Sequence, residues 1–113
     1  MKESREKIIL LHMQEDIHDI QQFMQGLNLI QFKANTLVKK AVCMSLLNIG
    51  ELAKELPPHL IALYPNIPWR NIIGLRNRTA HGYHSLDDSI IWEIATRDTP
   101  SLGQVVDEAL HLP

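Results

Sequence analysis

Residues 31–58, QFKANTLVKKAVCMSLLNIGELAKELPP, carry the pattern that decides the fold. Val38, Val42, Ser45, Ile49, Leu52 and Leu56 recur at steps of three and four, and Ala41, Leu46 and Ala53 widen the stripe. That spacing gathers the apolar side chains on one face of a helix. It predicts a helix from about Gln31 to Leu56. Pro57 and Pro58 end it, because neither can donate to the helical ladder or let it pass.

The same reading extends in both directions. Upstream, Ile9, Met13, Ile17, Ile20, Met24 and Leu27 form a second stripe, which predicts a helix from residue 3 to about 25. Glu15, Asp16 and Asp19 fall off that stripe, as a solvated edge requires. Gly26 is the natural stop, and Asn28 is suited to turning the chain. Downstream, Pro58 to Leu63 reads as one short helical turn, followed by the rigid connector Tyr64-Pro65-Asn66-Ile67-Pro68. Pro68 suits the first turn of a third helix, capped near Asn66 or Ile67 and carrying Trp69, Ile72, Ile73 and Arg76. Gly82 punctuates its end. Asp87 or Asp88 caps a fourth helix through Ile90, Ile91, Trp92 and Ile94. Asp98, Thr99 or Pro100 starts a last one through Leu102, Val105, Val106 and Leu110. No segment alternates with the period of a strand. The expectation is one all-α domain over residues 1–113, an antiparallel bundle of four main helices plus a short one. Trp69 and Trp92 read as core anchors, and Met13, Met24 and Met44 as gap-fillers in that core.

Composition narrows the function classes. The chain has 113 residues, enough for one core. Cys43 is its only cysteine, which excludes an intrachain disulfide and a cysteine zinc site. No apolar run reaches the ~18 residues of a membrane helix. The charged start, Met1 to Lys7, does not read as a signal peptide, so the expected location is cytoplasmic. The net charge is −2, yet Leu56 to Leu86 contains no Asp or Glu and holds Arg70, Arg76 and Arg78. That window stands at +3 and leaves the rest at −5. A cationic patch on a mildly acidic chain suits an anionic ligand, phosphate above all, with Arg70 and Arg78 as candidate phosphate or RNA contacts.

The window contains Arg76-Asn77-Arg78-Thr79-Ala80-His81-Gly82-Tyr83. His81 titrates near neutral pH and can exchange a proton. Arg76 presents a permanent fork of donors to phosphate oxygens. Asn77, one turn before His81, is placed to orient its ring or to donate to a substrate. RNA brings its own nucleophile, the 2′-hydroxyl, so a base and an arginine suffice without a metal. Arg76 and His81 are five residues apart and point about 140° away from each other on a regular helix. Either the helix ends near His81, or a second copy of the chain completes the site. The same residues also have structural readings: a histidine near a helix C-terminus can be a dipole partner, and arginines there can be surface charges. Metal readings find little support. His81, His84, Asp87 and Asp88 lack a known ligand spacing. The pairs Glu51/Glu55 and Glu15/Asp19 lack the Glu-x-x-His element of a di-metal bundle.

With these blocks in view, the chain resembles the HepT-like proteins of the HEPN superfamily. The resemblance rests on Ala41 to Lys54, containing Ile49-Gly50-Glu51; on Tyr64 to Asn77; and on Ala80-His81-Gly82-Tyr83 followed by Ile91-Trp92-Glu93. The R-x-x-x-x-H-x-Y pattern is met by Arg76, His81 and Tyr83. The resemblance implies a HEPN bundle that forms a homodimer, and a metal-independent endoribonuclease with no cofactor. Arg76 and His81 would be its catalytic pair, with Asn77 in support. It implies the toxin of a type VII toxin–antitoxin module, paired with a minimal nucleotidyltransferase antitoxin that adenylylates Tyr83. Added bulk and negative charge there would repel RNA. Glu51 falls in a matching block but receives no catalytic role. The other reading is a non-catalytic HEPN module that holds a nucleotidyltransferase or a nucleotide.

Overall fold

The computed structural model describes residues 4–79 and 87–112, the side chains of 76–79 excepted. These residues form an all-α bundle, and no strand occurs among them.

Helix α1 (Arg5–Met24) starts where the Ser4 hydroxyl accepts the Lys7 N–H at 3.1 Å. It stops at Gly26, whose φ of +77° is open to glycine at little cost. Ile9, Leu10, Met13, Ile17 and Ile20 are its buried face, as the spacing predicts.

The helix expected over residues 31–56 is two helices. α2 (Leu29–Ala34) and α3 (Thr36–Lys54) meet at Asn35, whose φ of −104° and ψ of 90° lie outside the helical region. Asn35 closes one helix and opens the next. Its backbone N–H donates to the Phe32 carbonyl at 3.0 Å, and its side-chain oxygen accepts the Val38 N–H at 3.1 Å. Asn28 and Gln31 form a reciprocal capping box that starts α2. The break lets α2 turn so that Phe32, fully buried, enters the core. Its ring lies 5.6 Å from that of Trp92.

Short α4 (Pro58–Ala62) follows, then α5 (Trp69–Thr79). Pro68 sits just ahead of α5, its carbonyl accepting the Ile72 N–H at 3.0 Å, rather than inside the first turn. Trp69 donates its indole N–H to the Tyr64 carbonyl at 2.9 Å. α6 (Asp88–Glu93) is capped by Asp87, which accepts the Ser89 N–H at 2.6 Å.

The boundary expected at Asp98–Pro100 is absent. Helical backbone runs through it as a π-turn, Ile94–Asp98, into α7 (Thr99–Leu110). Pro100 explains the wider turn, since it lacks an N–H and its ring would press on the carbonyl four residues back. Side-chain hydroxyls add bonds along this stretch. Ile94 accepts both the N–H and the hydroxyl of Thr99, and Arg97 accepts the Ser101 hydroxyl at 3.2 Å.

Polar ties fix the directions. Arg5 pairs with Glu55 at 3.0 Å, and Asp16 bonds Asn48 midway along, so α1 and α3 are antiparallel. Gln14 donates to Asp107 at 2.6 Å, while a Cβ at Gly103 would meet Ile17 at 3.3 Å, so α7 also runs against α1. α5 packs on α3, starting soon after the end of α3 and leading to Asp88, which is back beside Lys39 near the start of α3, so α5 returns along α3 and the order is up, down, up, down. One end of the bundle holds the end of α1, α2, the start of α3, the last turns of α5 and the start of α6. The core contains Met13, Ile20, Phe32, Val42, Ile49, Leu75, Ile91, Leu102 and Val106 at its centre. Each such side chain contributes about 1.5–3 kcal/mol on burial. Met44 is not among them: it faces outward at 58% exposure, off the buried face of α3.

Candidate functional site

The motif helix is held by its inner face. Ile72 and Leu75 are buried, and they share a small apolar void with Leu46 and Ile49 of α3 and Ile94, Thr99 and Leu102 of the last helical run. Ile73 and Trp69 pack at the margin of the core. On the outer face Arg70 and Asn71 are exposed, and a Cβ added at Gly74 would meet nothing within 4 Å. This side of α5 is open to a ligand or a second chain.

The helix carries Arg70, Arg76, Asn77 and Arg78 on one rigid element that is helical through Thr79. Arg70 and Arg76 are six residues apart, about 9 Å along the axis. The side chains of Arg76, Asn77 and Arg78 lie outside the described residues, as do His81 and Tyr83 altogether.

Beyond the motif the chain is pinned again. Asp88, five residues after Tyr83, accepts from Lys39 of α3 at 3.1 Å. The pair is substantially shielded, with side-chain exposures of 13% for Lys39 and 30% for Asp88. The motif segment therefore leaves from a helix locked onto α3 and returns to a residue ion-paired with α3. No sequence signal pointed to this pair, whose members are 49 residues apart. Cys43 lies one turn from Lys39, buried, and burial pushes its thiol up to about 11; Asp88 adds to the rise and Lys39 opposes it. At neutral pH it is a neutral core group rather than a nucleophile.

The remaining candidates have structural roles. Glu55 pairs with Arg5 at the far end of the bundle, and Glu15 and Asp19 are exposed on α1. Asp16 is pushed up, mainly by burial; its bond from Asn48 opposes the shift, and Asp19 and Glu15 reinforce it.

Residues 13–109 match the family described as ribonuclease HepT-like. The chain belongs to the HepT-like ribonuclease family. It is 32% identical over 96 residues to a Methanocaldococcus jannaschii protein named as a candidate RNase, covering 85% of this chain and 79% of that one. A second such protein from that organism is 29% identical over 101 residues, covering 89% and 93%. A Thermococcus cleftensis protein named "probable ribonuclease HepT" is 32% identical over 88 residues, covering 78% and 80%. No solved structure matches the chain. For this HepT-like chain, the family match spans α3, α5 and the start of α6, the three elements that bracket the motif. No helix among the described residues is long and apolar enough to cross a membrane.

Proposed function

We propose that this chain is an endoribonuclease that cleaves RNA with Arg76 and His81, acting as a homodimer. The observation that carries the reading is the family match over residues 13–109, within which Arg76, His81 and Tyr83 stand at motif spacing. The helix carrying Arg76 is fixed to the core through Ile72 and Leu75, a rigid base for catalytic groups.

His81 takes the proton of a ribose 2′-hydroxyl as that oxygen attacks the adjacent phosphorus. Arg76 meets the negative charge that grows on the phosphoryl oxygens. The bond to the 5′-oxygen breaks and that oxygen takes up a proton, leaving a 2′,3′-cyclic phosphate and a 5′-hydroxyl. Asn77 orients His81 or the phosphate, and Arg70 and Arg78 attract the RNA backbone. A regular helix would point residues 76 and 81 about 140° apart, and two copies facing each other would let Arg76 of one chain act with His81 of the other. Tyr83 is the adenylyl acceptor for a minimal nucleotidyltransferase, and the added phosphate and nucleoside repel and block RNA, silencing the toxin.

The test is cleavage of mixed RNA in excess chelator by unmodified wild type and by His81→Ala, with the new ends mapped. Cuts made only by wild type, with cyclic phosphate ends, are expected. Failure of dimeric, unmodified wild type on every RNA would instead favour a module that binds a nucleotidyltransferase or a nucleotide and cuts nothing.

A further inference from the structure

A second acid-free run lies far from the motif in sequence and shares one end of the bundle with the last turns of α5. Residues 20–50 contain no Asp or Glu and hold Lys33, Lys39 and Lys40. With the three arginines of residues 56–86, six of the 11 basic residues fall in two runs without an acid, while the rest of the chain has five basic and 13 acidic residues, a net −8.

Folding brings one part of each run to the same end of the bundle, while Arg70, in the first turn of α5, lies toward the other end. α2 and the first half of α3 occupy the same end of the bundle as the last turns of α5, because α5 returns along α3. The Lys39–Asp88 pair and the Phe32–Trp92 contact fasten this corner to the start of α6. The acids nearest in sequence after the motif are engaged locally: Asp88 with Lys39, and Asp87 as the cap of α6. Lys33 and Lys40 are both exposed on this corner, seven residues apart across the bend at Asn35. Between and beside them stand Ile30 at 79% and Leu37 at 80% exposure. Exposed lysines suit the backbone phosphates of a flexible polyanion, and the aliphatic side chains beside them offer its unpaired bases apolar contact rather than aromatic stacking.

We propose that the α2–α3 corner, through Lys33 and Lys40, is a second binding surface for single-stranded RNA, holding backbone phosphates beyond the nucleotides at the motif. The proposal rests on the ribonuclease reading and extends its substrate path onto a second element. These contacts are sequence-independent: they set how long a strand is held, and the motif sets where it is cut.

The test measures binding of a labelled mixed-sequence single-stranded RNA to the full chain in a His81→Ala background, across a salt series. Removing one lysine–phosphate interaction lowers the slope of log K against log salt by about 0.7 for a single strand. Lys33→Gln with Lys40→Gln is expected to lower it by about 1.4. Lys54→Gln, an exposed lysine at the opposite end of α3, is expected to leave it unchanged. An unchanged slope in the double variant, with wild type still cutting RNA, overturns this proposal and leaves the ribonuclease reading standing. Absence of both binding and cleavage in wild type removes both. An unchanged slope joined to a change in oligomeric state with Ile30→Ser and Leu37→Ser would reassign the corner to a protein partner. Circular dichroism of each variant confirms that the helices are retained.

Discussion

Lys39 of α3 and Asp88 at the start of α6 stand 3.1 Å apart and close the chain onto α3 five residues after Tyr83. The pair is shielded enough that loss of one partner leaves the other charge poorly solvated. Lys39→Met alone is expected to cost about 1–3 kcal/mol in urea unfolding. Lys39→Met with Asp88→Leu is expected to recover part of that loss. Strict additivity of the two single changes would show that the pair contributes no coupling.

Catalysis by the motif predicts a different pattern. Arg76→Ala and His81→Ala are each expected to lower RNA cleavage at least about 100-fold while the far-UV helical signal persists. Combining them is expected to cost far less than the product of the two, as for groups that act in one step. Residual activity near wild type in either single variant would remove that residue from the mechanism.

Two methionines separate core from surface. Met13 is fully buried and Met44 is exposed. Met13→Ala is expected to destabilise by about 2–5 kcal/mol through the cavity it leaves. Met44→Ala is expected to stay within about 0.5 kcal/mol. Thermal or urea unfolding of the pair decides between this arrangement and a core that includes both.

Cys43 supplies an alkaline signature. Its thiol is raised from 9.0 to about 11 by burial, with Asp88 adding to the rise. Below pH 9 the thiol is protonated whether folded or unfolded and contributes nothing to pH dependence. Between 9 and 11 the unfolded chain releases the proton and the folded chain keeps it, so stability falls as pH rises. Cys43→Ala is expected to flatten that part of the stability profile relative to wild type. Native protein at about pH 8 is expected to react with a thiol reagent far more slowly than unfolded protein.

Asp16 acts at the acid end. Its carboxyl is raised, chiefly by burial. When both states are protonated it makes no difference. As pH rises the unfolded carboxyl ionises first, and its folded counterpart ionises at a cost, so the charge weakens the fold at neutral pH. Asp16→Asn is expected to raise the unfolding midpoint near neutral pH, by no more than about 1 kcal/mol for so partly screened a group. The gain is expected to vanish near about pH 3, where both states hold the proton. A gain that persists there would point to packing rather than charge.

Much of the bundle was legible because its signals are local. The stripes of α1 and α3 name most of the residues those two helices bury, and Gly26, Pro57 and Asp87 mark ends that the backbone respects. Asn35 was the missed boundary. An asparagine ahead of Thr36 is a start signal, but an apolar stripe on both sides hid it. The join at Ile94–Asp98 is hidden for the opposite reason: Pro100 reads as a start, yet a π-turn carries helical backbone into α7 past it. The motif was legible as residue types, and family membership supports it. Lys39–Asp88 and the meeting of two acid-free runs depend on how α3, α5 and α6 pack, which no local window contains.

The π-turn between α6 and α7 gives the last helical run two phases. One residue changes a helix's angular position by about 100°. On one side of the turn, Phe32 and Lys39 dictate where Trp92 and Asp88 point; on the other, Ile17 and Gln14 dictate the settings of Gly103 and Asp107. A seamless α-helix would have forced one timing on both. With the slack taken up at Ile94–Asp98, sequence drift on the α1 side need not disturb the joint that receives the motif segment. The two halves of the same rod can evolve on separate clocks.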